Sequence, residues 1–210
     1  MSERIVAAGR RFVRLATRAV VGHPWAWRFF RGPLRSYFGW LAPRWEGIRS
    51  ADGIAPLAAA LDRLRAPPER VLDVGTGTGA ALRLAAERFP EAELVGVDLA
   101  PAMLEEARRV LPDEVLARVR LEPADASALP FPDGEFDLVL LQNMIPFPAE
   151  LARVSAPGGT LVIAFTSGPS TPIWSPPETL KPLLAAAGFE RIEDVAAGAG
   201  TALLARRAPR

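Results

Sequence analysis

Cysteine is absent from this 210-residue chain, and histidine occurs once, at position 23. Without thiols there is no disulfide framework and no thiolate metal site, and a single imidazole does not make a histidine-built metal centre. No metal is therefore expected. No apolar run approaches the roughly twenty residues needed to cross a bilayer. Acids are scarce in the first fifty residues, which hold ten arginines against only Glu3 and Glu46. Residues 51–210 reverse this balance, with fifteen Lys or Arg against twenty-two Asp or Glu. A basic segment on an acidic body predicts an anionic contact for that segment. Four of the five tryptophans (Trp25, Trp27, Trp40 and Trp45) fall in the same stretch, with Phe29, Phe30, Tyr37 and Phe38 between them.

What is present divides the chain into a basic, aromatic arm over residues 1–50 and a domain over 51–210. Ser2 to Val21 has helical periodicity, with Ile5, Phe12, Val13, Ala16 and Val20 on one side and Arg4, Arg11, Arg14 and Arg18 on another. Ser2 is a candidate N-cap, and Gly22 with Pro24 a stop. Such a cationic amphipathic helix suits a membrane surface, a cover docked on the domain, or an organellar presequence. Arginines interrupt the apolar stretch, so a secretory signal is not expected. Residues 22–50, punctuated by Pro24, Gly32, Pro33, Gly39, Pro43 and Gly47, read as short helical pieces and turns. Asp52 is expected to cap a helix over 54–65 whose buried face carries Leu57, Leu61 and Leu64.

Beyond residue 70 strands and helices alternate, which predicts a doubly wound α/β sheet. Strands are expected at 70–74, 93–97, 119–122, 136–141, 160–166, 189–195 and 201–206. Helices are expected near 78–88, 101–110, 149–155 and 178–187. The link Gly198-Ala199-Gly200 is too short for a helical crossover, so the last two strands should form an antiparallel hairpin.

Val71 to Gly79 reads Val-Leu-Asp-Val-Gly-Thr-Gly-Thr-Gly. A buried strand runs into a glycine-rich turn and then a helix, an arrangement that lets backbone N–H groups and a helix N-terminus approach a ligand. Gly75, Gly77 and Ala80 formally satisfy a dinucleotide fingerprint. The second strand ends in Asp98, whose two carboxylate oxygens match the two hydroxyls of a ribose diol, with simple helix capping as the plainer role. That diol occurs in both NAD and S-adenosylmethionine.

Asp73, two residues before the first glycine, and Gly79 turn the balance. The segment resembles the D/E-x-G-x-G-x-G motif of the class I S-adenosylmethionine-dependent methyltransferases. The resemblance continues in order to about residue 207. Asp125-Ala-Ser-Ala-Leu-Pro-Phe-Pro-Asp-Gly-Glu-Phe-Asp-Leu-Val139 resembles the family's D-A-x-x-L-P-F-x-D-x-x-F-D-x-V stretch. Glu150-Leu-Ala-Arg153-Val-Ser-Ala-Pro-Gly-Gly159 resembles its E-x-x-R-V-L-x-P-G-G signature, with Ser155 in place of leucine. Leu184 to Phe189 resembles its L-x-x-A-G-F helix end.

The resemblance implies a Rossmann-like, seven-stranded, mostly parallel sheet with a final hairpin, and S-adenosyl-L-methionine as cofactor. It implies cofactor contacts from Asp73, Gly75, Thr76, Gly77, Gly79, Asp98 and Leu99. Asp125 would accept from the adenine amino group, and the Ala126 N–H would meet a ring nitrogen. Gln142 and Asn143, after the fourth strand, are candidates for the cofactor's amino-acid end or for the acceptor. Trp25, Trp40, Met144 and Trp174 are candidates for acceptor contact. His23 and Tyr37 are weak candidates for a general base, and no convincing base is present. With no large insertion between strands, the cover must come from the arm, the Asn143–Pro148 loop and the loop from Ser167 to Pro177. All are apolar or aromatic, which favours a small, apolar methyl acceptor. The expected setting is cytoplasmic, with a possible site of membrane contact in the arm. Two other functions remain open at this stage. One is a non-catalytic cofactor-fold protein at a membrane or partner interface. The other is a nucleic-acid methyltransferase, disfavoured by the acidic body and by the lack of an N-P-P-Y-type tetrapeptide.

Overall fold

In the computed structural model, residues 3–48 and 51–209 are described, the side chains of residues 3–6, 51 and 52 excepted. Ser2 as a cap, Arg4 and Ile5 as face residues, and the Asp52 side chain as a cap lie outside what is described. The chain opens with α1 (Glu3–Gly22), α2 (Trp27–Leu41), α3 (Trp45–Ile48) and α4 (Ala55–Leu61). Then β1 (Arg70–Val74), α5 (Ala80–Arg88), β2 (Glu93–Asp98), α6 (Pro101–Val110), α7 (Asp113–Leu116) and β3 (Val119–Pro123) alternate. β4 (Phe136–Gln142), α8 (Pro148–Val154), β5 (Ser155–Phe165), α9 (Pro177–Ala186), β6 (Phe189–Ala197) and β7 (Gly200–Arg207) complete the fold.

The seven strands lie in the order β3-β2-β1-β4-β5-β7-β6, and β7 alone runs opposite to the other six. The Gly198–Ala199 turn closes the expected hairpin, Gly198 having φ +57°. Because β1 pairs with β2 on one side and β4 on the other, both in parallel, the order in which strands are added reverses at β1/β4. The carboxyl ends of these two strands therefore flank a crevice, the usual ligand position in an open α/β sheet.

Alternation along the central strands feeds two cores. Leu72, Val139, Leu141, Leu161 and Ile163 point to one face, and Val71, Leu138, Leu140, Val162 and Ala164 to the other. α4 and α5 cover the second face. The first is covered by α8, α9 and, in the same apolar cluster, by Val13, Ala16, Val20, Trp27 and Leu34 of the arm. α1 thus buries the side that its periodicity predicts, while Arg11, Arg14 and Arg18 stay exposed.

The arm departs from the sequence reading between residues 27 and 41. Short pieces were expected there, yet one fifteen-residue helix runs through Gly32, Pro33 and Gly39. Trp27, Leu34 and Leu41, seven apart, are all buried on one face. Burial of three large side chains, each worth about 1.5–3 kcal/mol, offsets a helix-interior proline that costs about 3 kcal/mol. Three smaller differences concern boundaries. The helix expected over 54–65 is regular only over Ala55–Leu61 and has Ile54 at its N-cap. β5 begins at Ser155, five residues early, through a pairing of Ser155 with Phe136 and a register shift. α7 is a four-residue helix that no periodicity announces.

Candidate active site

β1 delivers Asp73 to the crevice floor. The side chain is 1% exposed, and neither of its oxygens has a hydrogen-bond partner. Burial raises its pKa to about 7, with the nearby Asp98 adding to the rise and the Thr76 hydroxyl opposing it. That hydroxyl makes no hydrogen bond of normal geometry either. A buried carboxylate without donors is strongly unfavourable as an anion, so this one is suited to a cationic partner.

The turn that follows offers space more than donors. Gly75 N and Thr76 N both donate to Val97 O, and Gly79 N donates to Thr76 O. Gly77 N donates to Asp98 Oδ2 at 2.9 Å. At Gly75 (φ +75°) a Cβ would lie 2.8 Å from Met144 Sδ. At Gly77 (φ +55°) a Cβ would meet nothing within 4 Å, because this glycine borders open cavity. Positive φ and close approach explain why glycine recurs here.

Asp98, at the end of β2, is half-buried, and burial raises its pKa to about 6 against the hydrogen bonds it accepts. Oδ1 accepts from Ala100 N at 2.8 Å and Oδ2 from Gly77 N. One protein donor on each oxygen leaves each able to accept one more, which matches a vicinal diol. Asp98 does not cap α6, whose N-cap is Ala100 without a side-chain cap bond; its bond to Ala100 N is a local turn that leaves the diol role open.

Asn143 follows β4 in a left-handed conformation, φ +53°. Its side chain accepts from Thr166 N at 3.0 Å and donates to Thr166 Oγ1 at 3.2 Å. It therefore clamps the ends of β4 and β5 together. Gln142 Nε2 donates to Gly53 O at 3.0 Å, tying the strand end to the segment before α4. The Glu150/Arg153 pair acts from behind. Glu150 accepts from Leu129 N, and Arg153 donates to Leu129 O and Phe131 O, fixing the loop between β3 and β4. The Arg153 guanidinium holds the Glu150 carboxyl below its ordinary pKa.

Two adjoining cavities occupy the crevice. The larger, about 290 Å³, reaches from Asp73 and Thr76 to Tyr37, Trp40, Trp45 and Ile173. The smaller, about 80 Å³, lies between Asp98, Leu99, Ala126 and Met144 and is walled by Trp27, Phe38 and Trp45. Both are bordered by Gly75, Gly77, Gln142 and Asn143. The arm is latched over them. Thr78 Oγ1 donates to Glu46 Oε1 at 2.6 Å, and Arg10 Nη2 to Ser170 O at 2.8 Å.

Asp73, Gly75, Thr76, Gly77, Asp98, Leu99, Ala126, Gln142, Asn143, Tyr37, Trp40 and Met144 thus all line one cavity or the other. Gly79 lies one step back, opening α5 against Leu111. Asp125 is not itself among the residues lining either cavity; it sits between Ala124 and Ala126, which line the smaller one, and its Oδ1 accepts from Trp27 Nε1 at 2.8 Å. His23 and Trp25 are not brought to either cavity; both are exposed, Trp25 at 61%. Trp174 packs against the first core, while its neighbour Ile173 lines both cavities. Tyr37 has its hydroxyl beside Gly9, and burial raises its pKa, Arg10 opposing. The sequence reading did not single out Arg10, Trp27, Phe38, Trp45, Glu46 and Ile173 as site residues. The seven-residue spacing of Trp27, Leu34 and Leu41 was the available signal for the helix that carries the first of these.

Residues 71–159 match a family described as the methyltransferase domain. The chain is 48% identical over 107 residues to a demethylmenaquinone methyltransferase of Thermus thermophilus, covering 48% of each chain. It is 46% identical over 122 residues to a malonyl-[acyl-carrier protein] O-methyltransferase of Halorhodospira halophila, covering 55% of this chain and 40% of that one. The chain thus matches about half the length of these relatives or less. Its fold is also that of the [4+2]-cyclase SpnF, with a TM-score of 0.62 at 22% identity over 76% of this chain and 82% of the cyclase.

Proposed function

The chain belongs to the class I S-adenosylmethionine-dependent methyltransferases, and we propose that it moves the methyl group of that cofactor to a small, largely apolar acceptor admitted beneath the arm. Residues 51–210 then form the cofactor-binding domain and residues 1–50 its cover. The observation that carries this reading is Asp73, a buried carboxylate with no hydrogen-bond partner at the floor of the larger cavity. It fits the ammonium of an amino-acid moiety, while Asp98 fits the ribose diol and Leu99, Ala126 and Met144 fit the faces and edge of a purine. When bound, S-adenosylmethionine supplies a sulfonium methyl group, an electrophile that needs no further activation.

The protein's share is alignment and exclusion of water. Gly75 and Gly77 leave room at the floor, and Asn143 holds the two strand ends at a fixed separation. Phe38, Trp40, Trp45, Pro172 and Ile173 form an apolar roof and side wall for the acceptor. Among the described residues lining the larger cavity, the ionisable groups are Arg10, Tyr37 and Asp73. Asp73 is taken by the ammonium and Tyr37 titrates above its ordinary range. The acceptor therefore enters already nucleophilic, as an anion or a lone-pair donor, and no side chain serves as strong general base. A quinone-like, polyketide-like or lipid acceptor suits the aromatic wall, and the demethylmenaquinone relative supports the first.

The test is transfer from methyl-labelled S-adenosylmethionine into a fractionated cell extract. Label in the organic phase supports the reading. Label confined to nucleic acid or protein overturns the acceptor class. No label in any phase, with cofactor binding intact, supports a non-catalytic role.

A second reading concerns where the protein works. Among the described residues, no helix is long and apolar enough to cross a membrane. The arm, however, exposes Leu15, Trp25 and Phe29, each about three-fifths exposed, and Arg28 lies over both the Trp25 and Phe29 rings. Aromatic side chains among exposed arginines favour peripheral contact with anionic lipid. Sedimentation with anionic vesicles that falls in Trp25→Ala/Phe29→Ala supports this; sedimentation unchanged by that pair, or absent from the outset, counts against it.

A further inference from the structure

Asp125 is held from the arm. Its Oδ1 accepts three hydrogen bonds, from Trp27 Nε1 at 2.8 Å, Ser127 N at 2.9 Å and Ser127 Oγ at 2.7 Å. A carboxylate oxygen has room for about two donors at good geometry, so Oδ1 is saturated. Among the described residues Oδ2 accepts no hydrogen bond, and the Arg31 guanidinium stands 3.7 Å away, beyond hydrogen-bond range. Trp27 is itself fixed. It is 6% exposed, meets Phe147 edge-on with ring centroids 5.3 Å apart, and lines the smaller cavity together with Leu99 and Ala126. The cavity exists with the indole in place, so Trp27 is part of the wall.

From this we infer that Trp27 positions Asp125 so that its remaining oxygen reads the amino group of the purine, making the arm a determinant of base specificity. The inference rests on the cofactor assignment above and adds a residue to it. The indole N–H and Ser127 pin one oxygen and so set the carboxylate's rotation. A side chain fixed in this way discriminates well, because its acceptor cannot swing to accommodate a different edge. An exocyclic N–H satisfies Oδ2. A carbonyl in the same place sets an oxygen against a carboxylate and is repelled. Without the indole donor Oδ1 keeps its two bonds from Ser127 but loses the long-range restraint from the arm, so the carboxylate moves with its own loop and discrimination falls even where the purine still fits. Trp27 acts through Asp125, so it is a positioning residue.

The experiment compares binding of S-adenosylhomocysteine with its deaminated, inosyl counterpart by calorimetry in the full chain. The wild type is expected to prefer the adenosyl ligand by about tenfold or more, the worth of one hydrogen bond to a charged group. Trp27→Phe keeps a ring and drops the N–H; it should compress that preference at least about threefold. In an Asp125→Asn background the same change should leave the ratio where Asp125→Asn alone puts it, since the two act in series. A ratio unchanged in Trp27→Phe, with both affinities lowered equally, overturns the inference and leaves Trp27 as packing. A wild type that binds both ligands equally overturns it while sparing the cofactor site. A wild type that binds neither refutes the cofactor reading itself. If Trp27→Phe does not fold, replacing the indole N–H by sulfur with benzothienylalanine at position 27 keeps the shape and reads the same ratio.

Discussion

The body and the arm build opposite walls of the same crevice by different means. The body wall is backbone: a turn whose N–H groups are committed to Val97, Thr76 and Asp98, two strand ends clamped by Asn143, and two carboxylates. The arm wall is side chain: Trp27, Tyr37, Phe38 and Trp40 project from α2, which shares the first core, and Trp45 from α3, which packs on a separate cluster of Leu41, Ala42, Ala100 and Met103. Backbone geometry tolerates little variation and suits an invariant ligand. Aromatic side chains on a helix can be exchanged one by one, which suits the part that selects an acceptor. On the proposed reading the body holds most of the cofactor and the arm selects the acceptor, with Trp27 reaching across to the cofactor side.

The comparison breaks if the arm is a detachable cover. Leu34 is 3% exposed and belongs to the core that also holds Val139 and Ile163. Leu34→Ala should lower stability by about 2–5 kcal/mol, as for other buried leucines. Denaturant unfolding would measure it; a change near zero would mean that the arm docks without contributing. On the body side, Asp98→Ala should weaken S-adenosylhomocysteine binding by roughly 1.5–3 kcal/mol, since hydrogen bonds to a charged group are lost. Unchanged binding in calorimetry would remove Asp98 from the site.

A pH series sharpens the contrast, because both raised carboxyls belong to the body. Burial raises Asp73 to about 7 and Asp98 to about 6, from an ordinary 3.8. A native pKa above the unfolded value means that the native state holds the proton longer. The stability of the ligand-free protein from these groups is therefore present at low pH and falls as pH rises through about 4 to 7. Cofactor binding has the opposite slope. An ammonium requires ionised Asp73, so affinity should fall by up to about tenfold per unit as pH drops below 7. Asp73→Asn should weaken binding and flatten that dependence. A wild-type affinity constant from pH 5 to 8 would contradict the assignment. The smallest effect is expected at the arm's outer surface, where Arg14→Gln should change stability by no more than about 0.5 kcal/mol. A larger loss in thermal unfolding would mean that this face is covered.

The body and the first arm helix were legible in the sequence and the rest of the arm was not, for a physical reason. β1, β4 and β5 are buried on both faces, so their apolar runs announce strands without competition from other patterns. Asp73, Asp98 and the glycines sit at strand ends where spacing fixes position. In the arm, local signals were overridden. Gly32, Pro33 and Gly39 are strong breakers, and only the buried face of Trp27, Leu34 and Leu41 explains why one helix continues through them. The hydrogen bond from Trp27 to Asp125 spans 98 positions and leaves no trace in either segment alone. Asn143 was visible as a polar residue after a strand, but its role as a clamp depends on Thr166 of another strand's end. Trp25 and Trp27 are two residues apart and of one type, yet one is exposed and the other walls a cavity. The helix start at residue 27 separates them.

Hydrogen exchange with and without S-adenosylhomocysteine tests the central claim, that the arm and the body form one site. The account predicts slowed exchange in two places at once: the body turn over residues 75–81 and the arm over residues 27–45. Slowed exchange in the turn alone, with the arm unchanged at saturating ligand, would contradict it.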